Sequence, residues 1–503
     1  MFNWLVGSTG SPSSLAPRAL YFWIVVSSVA WLARPLQVSP VWCGVLLLLG
    51  GVVLARNWRP AEAMVWLVLR LATAAWSLPF LTSAQFVAVT VDFIWLCHLA
   101  NASRAASIEA GESSESTDES ADGHDSPNTD CVDQLPWQGL PVRAVVAVAV
   151  FFSGLARINW AYLAEVSAEA QVAGAASLGL TEDLLWKSTA VCLPLFISVG
   201  MLRVSSCRFA LTTAVLFWLA EIWNGAPDER SLAGVCLAAV PAFLAPSKWL
   251  AFDSWQQPWL AQLVERYAGH AVAFGGLVVA TQPLVHWHGL LPPGISVALW
   301  LTLFAVAALV LVITGQPIGC SELFRLDQAR RWSHWLPSHW LAGSLAAAGV
   351  ALVLANGLAP YLGLKTFGTF SEGARLRTEG LRPNHLFMPQ MYLLRHQLEL
   401  AEVLDVASAE PEVTLQASQP PLAIPNDSAE PLGPAELKPG AIVPVFELER
   451  LAEDHPELTI HFRLCGQLPE VYQLGQASGW RGGRSWWQRK LLAFHPVPRD
   501  PAR

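Results

Sequence analysis

Charge is scarce in this chain of 503 residues: Asp, Glu, Lys and Arg together make up 14% of it. Water-soluble globular proteins carry about a quarter. So small a supply excludes a surface that faces water everywhere. No Cys-x-x-Cys occurs among the eight cysteines, and no Cys/His spacing fits a zinc site, so no metal is expected. Most cysteines lie in apolar stretches, where a thiol behaves as a small buried apolar side chain. Cys465 stands alone in the last third of the chain, which excludes a disulfide there. No internal repeat is found, and that argues against a transporter built from duplicated halves. Tyrosine is rare, 6 residues against 24 tryptophans. The net charge of −8 gathers largely in one insert. It identifies no partner, and no nucleic acid is expected.

What the chain has in abundance is apolar surface: 53% of its residues are hydrophobic and its mean hydropathy is +0.40. Tryptophan is favoured where an apolar ring meets a wet headgroup layer. Apolar runs of about 17 or more residues are candidate membrane crossings. They fall at residues 20–38, 39–54, 62–80, 84–99, 142–160, 184–202, 209–222, 232–249, 268–285, 295–314 and 341–361. The expected fold class is therefore an all-α polytopic membrane bundle of about eleven transmembrane helices, followed by a small α+β extramembrane domain. The expected divisions are 1–100, with the first four helices; 101–141, a loop; 142–361, with the remaining helices; and 362–503, the C-terminal domain.

Basic residues mark alternate loops. Arg56 and Arg59, Arg104 and Arg143, Arg203 and Arg208, Lys248 and Arg266, and Arg325, Arg330 and Arg331 occupy one set. The intervening loops are nearly bare, apart from Arg34 and Arg230. By the positive-inside rule the N-terminus is expected in the cytoplasm and residues 362–503 on the extracytoplasmic side. The acidic, Ser-rich stretch 101–141 has too little apolar surface to offset the entropy of ordering, and reads as a disordered cytoplasmic loop. Further on, 416–439 is Pro-rich, 443–452 reads as a helix, and 457–463 alternates as a strand with Leu458, Ile460 and Phe462 on one face. In 481–494, Trp486 and Trp487 interleave with Arg481, Arg484, Arg489 and Lys490, a pattern that suits a surface helix or one lying on lipid.

Ionisable groups inside apolar helices are costly unless paired. Arg70 and Asp92 each sit mid-way along neighbouring apolar runs joined by a very short loop, so an intramembrane ion pair is expected. A wet cavity that uses the two charges is the alternative. Two further stretches concentrate polar chemistry. One runs Phe151-Phe152-Ser153-Gly154-Leu155-Ala156-Arg157-Ile158-Asn159-Trp160. There Arg157 either snorkels to headgroups or binds an anion in its planar fork. The other runs from Pro360-Tyr361-Leu362-Gly363-Leu364-Lys365-Thr366, through Phe370-Ser371 and Arg375-Leu376-Arg377-Thr378-Glu379-Gly380, to Asn384-His385-Leu386. This set binds lipid phosphate, anchors a domain or lines the mouth of a cavity.

These stretches resemble the HTTM (horizontally transferred transmembrane) family, which includes the vitamin K-dependent gamma-carboxylase. Phe152-Ser153-Gly154-Leu155-Ala156-Arg157-Ile158-Asn159 is similar to the family's Phe-x-Ala-Gly-x-x-Lys-Leu-Asn/Asp. Tyr361 to His385, Val443 to Leu448 and Lys490 to Phe494 are similar to a bacterial branch. The resemblance implies a helical bundle that holds a lipid or quinone cofactor, and, for an enzyme, a carboxylase-like lyase or quinol-linked reaction. On it Arg157, Glu379 and His385 are the candidate catalytic residues, and Asn159, Lys365 and Arg377 the candidate ligand-binding residues. Arg157 stands where the family's basic lysine would be. A guanidinium stays protonated, so it serves as an electrostatic stabiliser and not as a base. That leaves His385 or Glu379 as acid or base. Membrane lipids, and a protein or peptide on the extracytoplasmic side, are the partners expected. A non-enzymatic scaffold and a transporter are the competing functions.

Overall fold

The computed structural model describes residues 15–33, 60–78, 81–115, 139–159, 162, 177–225, 227–243, 293–314, 339–362, 364–366, 369–370, 376, 385, 399–408, 437–455, 458–465, 471–474, 488 and 491–494. Its helices are α1 (Leu15–Ala33), α2 (Pro60–Trp76), α3 (Ser83–Glu115), α4 (Gly139–Ala156), α5 (Ser177–Leu202), α6 (Val204–Asn224), α7 (Pro227–Ala238), α8 (Pro293–Thr314), α9 (His339–Leu358) and α10 (Val445–Asp454). The strands are β1 (Leu400–Ser408), β2 (Ile442–Pro444), β3 (Leu458–Leu464) and β4 (Val471–Leu474). Two compact units form. The first is Met1–Ser77, Ala84–Phe151 and Leu193–Leu354; the second is Leu78–Ser83, Phe152–Cys192 and Ala355–Arg503. Neither follows the divisions expected at 100, 141 and 361.

The multi-pass expectation is corrected here. Among the described residues, no helix is long and apolar enough to cross a membrane. A crossing takes about 20 consecutive, predominantly apolar residues. α2 has 17 and holds Arg70, and α4 has 18 and holds Arg143. Glu182, Asp183 and Lys187 interrupt α5, and Arg208 and Glu221 interrupt α6. α7 has only 12 residues. In α8 and α9 the side chains are described without a break over 297–313 and 347–358, short of that length. The transmembrane bundle of about eleven helices is therefore not found, and the fold is mostly helical with one small sheet. The multi-pass localisation falls with it, and so does the sidedness given to the N-terminus and to 362–503. The runs at 39–54 and 268–285 lie outside the described residues. The acidic stretch is helical at its start, because α3 continues to Glu115. Ala and Glu are good helix formers, and that stretch is rich in both.

In the first unit α1 packs on α7 and α8, and α6 packs on α7 and α8. Close approach of α1 to α7 depends on Gly234, whose added Cβ would lie 2.7 Å from Ala30 Cβ. The Ser231 hydroxyl donates to the Ala30 carbonyl at 2.9 Å across the same contact. Pro227 opens α7, where its missing N–H costs nothing, and Asp228 and Glu229 follow in the first turn, where they meet the positive end of the helix dipole. Arg230 reaches back to cap α6, its Nε donating to the Ile222 carbonyl at 2.8 Å. On the far side of α6 the Trp223 indole N–H donates to Thr302 of α8 at 2.9 Å.

The second unit holds a four-stranded antiparallel sheet in the order β2-β1-β3-β4. β3 carries the alternation read from its sequence: Leu458, Ile460 and Phe462 are buried and form a core with Ala401, Val403 and Leu448. α10 puts Leu448 and Leu451 into this core, three residues apart on one helical face. Gly440 turns the chain into β2 with φ 84°, a left-handed conformation that costs glycine little. A second cluster joins Phe446 of α10 to Leu492 and Phe494, with Leu364 packed against it.

Within the same unit Gly357, near the end of α9, lies against the Phe152 ring, and a Cβ there would overlap the ring. Phe152 in turn stacks on Phe370 at 6.2 Å. Gly357→Ala is expected to cost about 1–3 kcal/mol through overpacking, despite alanine's better helix propensity. Denaturant unfolding measures it, and Phe152→Leu in the same background should recover part of the loss. An unchanged or raised midpoint for Gly357→Ala would refute the close contact.

Candidate functional site

The site in the second unit begins where α4 stops. After Ala156 the chain turns, with the Arg157 N–H on the Gly154 carbonyl at 3.2 Å and the Asn159 N–H on the Arg157 carbonyl at 2.9 Å. Asn159 is wholly buried and holds the turn from both ends of its amide. Its Nδ2 donates to the Ala156 carbonyl at 2.8 Å, and its Oδ1 accepts the Tyr162 N–H at 2.8 Å. The backbone of Asn159 also forms an antiparallel bridge with that of His385. Two stretches more than 200 residues apart are thereby brought together.

Arg157 does not snorkel. It is 3% exposed, and its Nη1 donates to the carbonyl of Ala190 in α5 at 3.2 Å. That carbonyl is available for a chemical reason. Pro194 lies inside α5, four residues on, and has no N–H to close the helical hydrogen bond to residue 190. Arg157 takes the place of the missing donor.

His385 is buried with its Nε2 3.1 Å from the Leu155 carbonyl. A carbonyl only accepts, so Nε2 carries the proton in this tautomer. The imidazole meets the Tyr361 ring edge-on, with centroids 5.2 Å apart. Tyr361 is itself packed with Ala156 and Leu376. Its hydroxyl is buried with no hydrogen-bond partner among the described residues. Burial raises its pKa, so it stays a neutral O–H. Burial lowers the pKa of His385, against a smaller opposing effect of the Leu155 hydrogen bond.

Of the residues singled out in the sequence, the structure joins Arg157, Asn159 and His385 through the turn after α4. Lys365 is half-buried, beside Thr366, whose N–H donates to the Ala493 carbonyl at 2.9 Å. Arg377 and Glu379 lie outside the described residues. Tyr361 was passed over in the sequence because a tyrosine after an apolar run reads as an interfacial ring. Pro194 gave a local signal for Ala190: a proline inside a helix frees the carbonyl four residues back. No group of His, Cys, Asp or Glu among the described residues is arranged to hold a metal.

The pH response of this cluster has a definite sign. A histidine whose pKa is lower in the folded than in the unfolded chain contributes fully above its ordinary value, about 6.5. The contribution is lost as the pH falls from there through the folded pKa. The second unit is expected to lose stability over that acid range, and His385→Gln should flatten the curve. Equal slopes for wild type and His385→Gln would dismiss the effect.

The other charged site lies in the first unit. Arg70 and Asp92 form an ion pair, Nε to Oδ2 2.9 Å, at 2% and 0% side-chain exposure. The contact is close but not aligned as a hydrogen bond. Arg70 Nη1 donates to Ser27 Oγ at 2.8 Å, and the Trp23 indole N–H donates to Asp92 Oδ1 at 2.8 Å. The guanidinium lies between Trp31 and Trp66, 4.2 and 4.5 Å from the ring centroids, within cation–π range.

No known family, curated protein or solved structure matches the chain. The HTTM and carboxylase assignments are corrected accordingly: nothing beyond the short motifs supports them.

Proposed function

We propose that the chain is a lipid-binding helical protein. Its first unit is covered by acyl chains, and its second unit carries a polar site built from Arg157, Asn159, Tyr361 and His385. The observation that carries this reading is an inverted polarity in the first unit. A complete ion pair is buried, while Phe196 is 74%, Phe209 77% and Trp76 80% exposed. Exposed apolar side chains recur along α8 at Leu299, Leu303, Val306 and Val310, the spacing of one helical face. A protein in water rarely leaves contiguous apolar patches of this extent uncovered. They occur on α2, α5, α6 and α8 alike. Fluid acyl chains fit that spread better than one folded partner docking at one place. Tryptophan at Trp76 and Trp223, at the ends of α2 and α6, suits an apolar ring with a wet N–H end.

The test is solvent extraction of the purified full chain followed by lipid analysis. Several lipids retained per chain are expected, with fewer on the Phe196→Glu/Phe209→Glu variant. A lipid-free chain that stays monodisperse without detergent would end this reading.

A further inference from the structure

We infer that the Trp31–Arg70 contact in the first unit is a binding site for the carboxylate of a free fatty acid, which enters together with one proton taken up by Asp92. The inference rests on the lipid-binding reading above and names a lipid class for it.

Two buried donors in contact with each other lack an acceptor. Arg70 Nη2 has no hydrogen-bond partner, although Nη1 and Nε are engaged by Ser27 and Asp92. The indole N–H of Trp31, a residue 8% exposed, has none either. The guanidinium carbon of Arg70 lies 4.2 Å from the Trp31 ring centroid, so the two donors belong to one contact. A buried N–H left without an acceptor costs about 1–3 kcal/mol, and more when it is charged. A carboxylate offers two acceptor oxygens, one for each donor. The surroundings are apolar: Trp66 covers the guanidinium from another side, and Leu67 and Ile24 are buried in the same helices. That shell favours a carboxylate with an acyl tail over a small hydrated anion, which would surrender its water without replacement.

Charge balance supplies the proton. Arg70 and Asp92 are together neutral, so an added carboxylate would leave one negative charge buried. Protonation of Asp92 restores neutrality, and one proton enters with each fatty acid. Burial raises the Asp92 carboxyl to about 6, against the opposing pull of Arg70 and the Trp23 hydrogen bond. Among the described residues Arg70 of α2 is the charged group that meets Asp92; α1 presents Trp23 to it.

The indole shell provides the readout. Brominated stearate should quench tryptophan fluorescence of the full chain saturably, and its methyl ester, which has no carboxylate, should not. Binding should tighten as the pH falls from about 8 to about 6, with proton uptake in lightly buffered solution. Trp31→Phe keeps a ring and removes one donor, and should weaken binding on the order of tenfold. Asp92→Asn mimics the protonated carboxyl and should abolish the pH dependence. Equal binding of acid and ester, or unchanged binding by Trp31→Phe, overturns the inference. Displacement of the stearate by an equal concentration of sodium chloride assigns the site to inorganic anions and overturns it too. Quenching by brominated phospholipid with no distinction between acid and ester leaves the lipid-binding reading standing while this inference fails. Absence of quenching by any brominated lipid removes both.

Discussion

Replacing Asp92 with alanine is expected to cost the first unit about 3–5 kcal/mol of unfolding free energy. The loss comes from what remains. Arg70 is 2% exposed and would keep a full positive charge among Trp31 and Trp66 with Ser27 as its hydrogen-bond partner. The Trp23 indole N–H would lose its acceptor as well. Removing both charges is different, because a well-packed apolar replacement for a buried ion pair is often neutral or stabilising. Asp92→Leu combined with Arg70→Met should therefore be far more stable than Asp92→Ala. Denaturant unfolding of the three proteins decides it. A loss below about 1 kcal/mol for Asp92→Ala would mean that water reaches the pair.

The second large effect is expected at Phe494. Phe494 is buried against Phe446 of α10, ring centroids 5.7 Å apart and nearly perpendicular, and Leu364 lies against the same cluster. Its N–H donates to Oε1 of Glu447, itself 1% exposed, at 2.8 Å. The other oxygen of Glu447 meets Arg450. Segment 491–494 thereby ties the stretch after α9 to α10, since Ala493 also accepts the Thr366 N–H. Phe494→Ala is expected to cost about 3–5 kcal/mol, as for other buried phenylalanines. Glu447→Ala should cost less, about 1.5–3 kcal/mol, the range for a hydrogen bond to a charged group. Limited proteolysis should cut near residue 490 faster in Phe494→Ala. A rate equal to that of wild type would show that the ring does not hold the segment.

Some of this architecture could be read from the sequence, and the reasons differ by element. Arg70 and Asp92 sit in consecutive helices, so the short connection between α2 and α3 brought them within reach of each other. The aromatic shell around them comes from α1, and no spacing in the chain announces a contact between Trp23 and a carboxylate 69 residues away. β3 was visible because Leu458, Ile460 and Phe462 alternate with polar residues, a period that only a strand satisfies. The crossing helices were inferred from average apolarity, which does not weigh where Arg70, Arg208 or Glu221 interrupts a run. The two units were hidden for another reason. Residues 152–192 join 355–503 in one unit, and the bridge between Asn159 and His385 is a main-chain pairing that leaves no pattern in side chains.

Pro194 bears on how this site can change over generations. Arg157 is tethered to a main-chain oxygen, and every residue type at position 190 supplies that oxygen. Replacement of the Ala190 side chain therefore leaves the tether in place as long as the helix persists. Its weak point lies elsewhere, at a residue that Arg157 need not touch. Any substitution of Pro194 restores an N–H to α5, and that N–H competes for the Ala190 carbonyl. A single change at 194 can thus release a buried cation and redirect the site, whereas drift at 190 is silent.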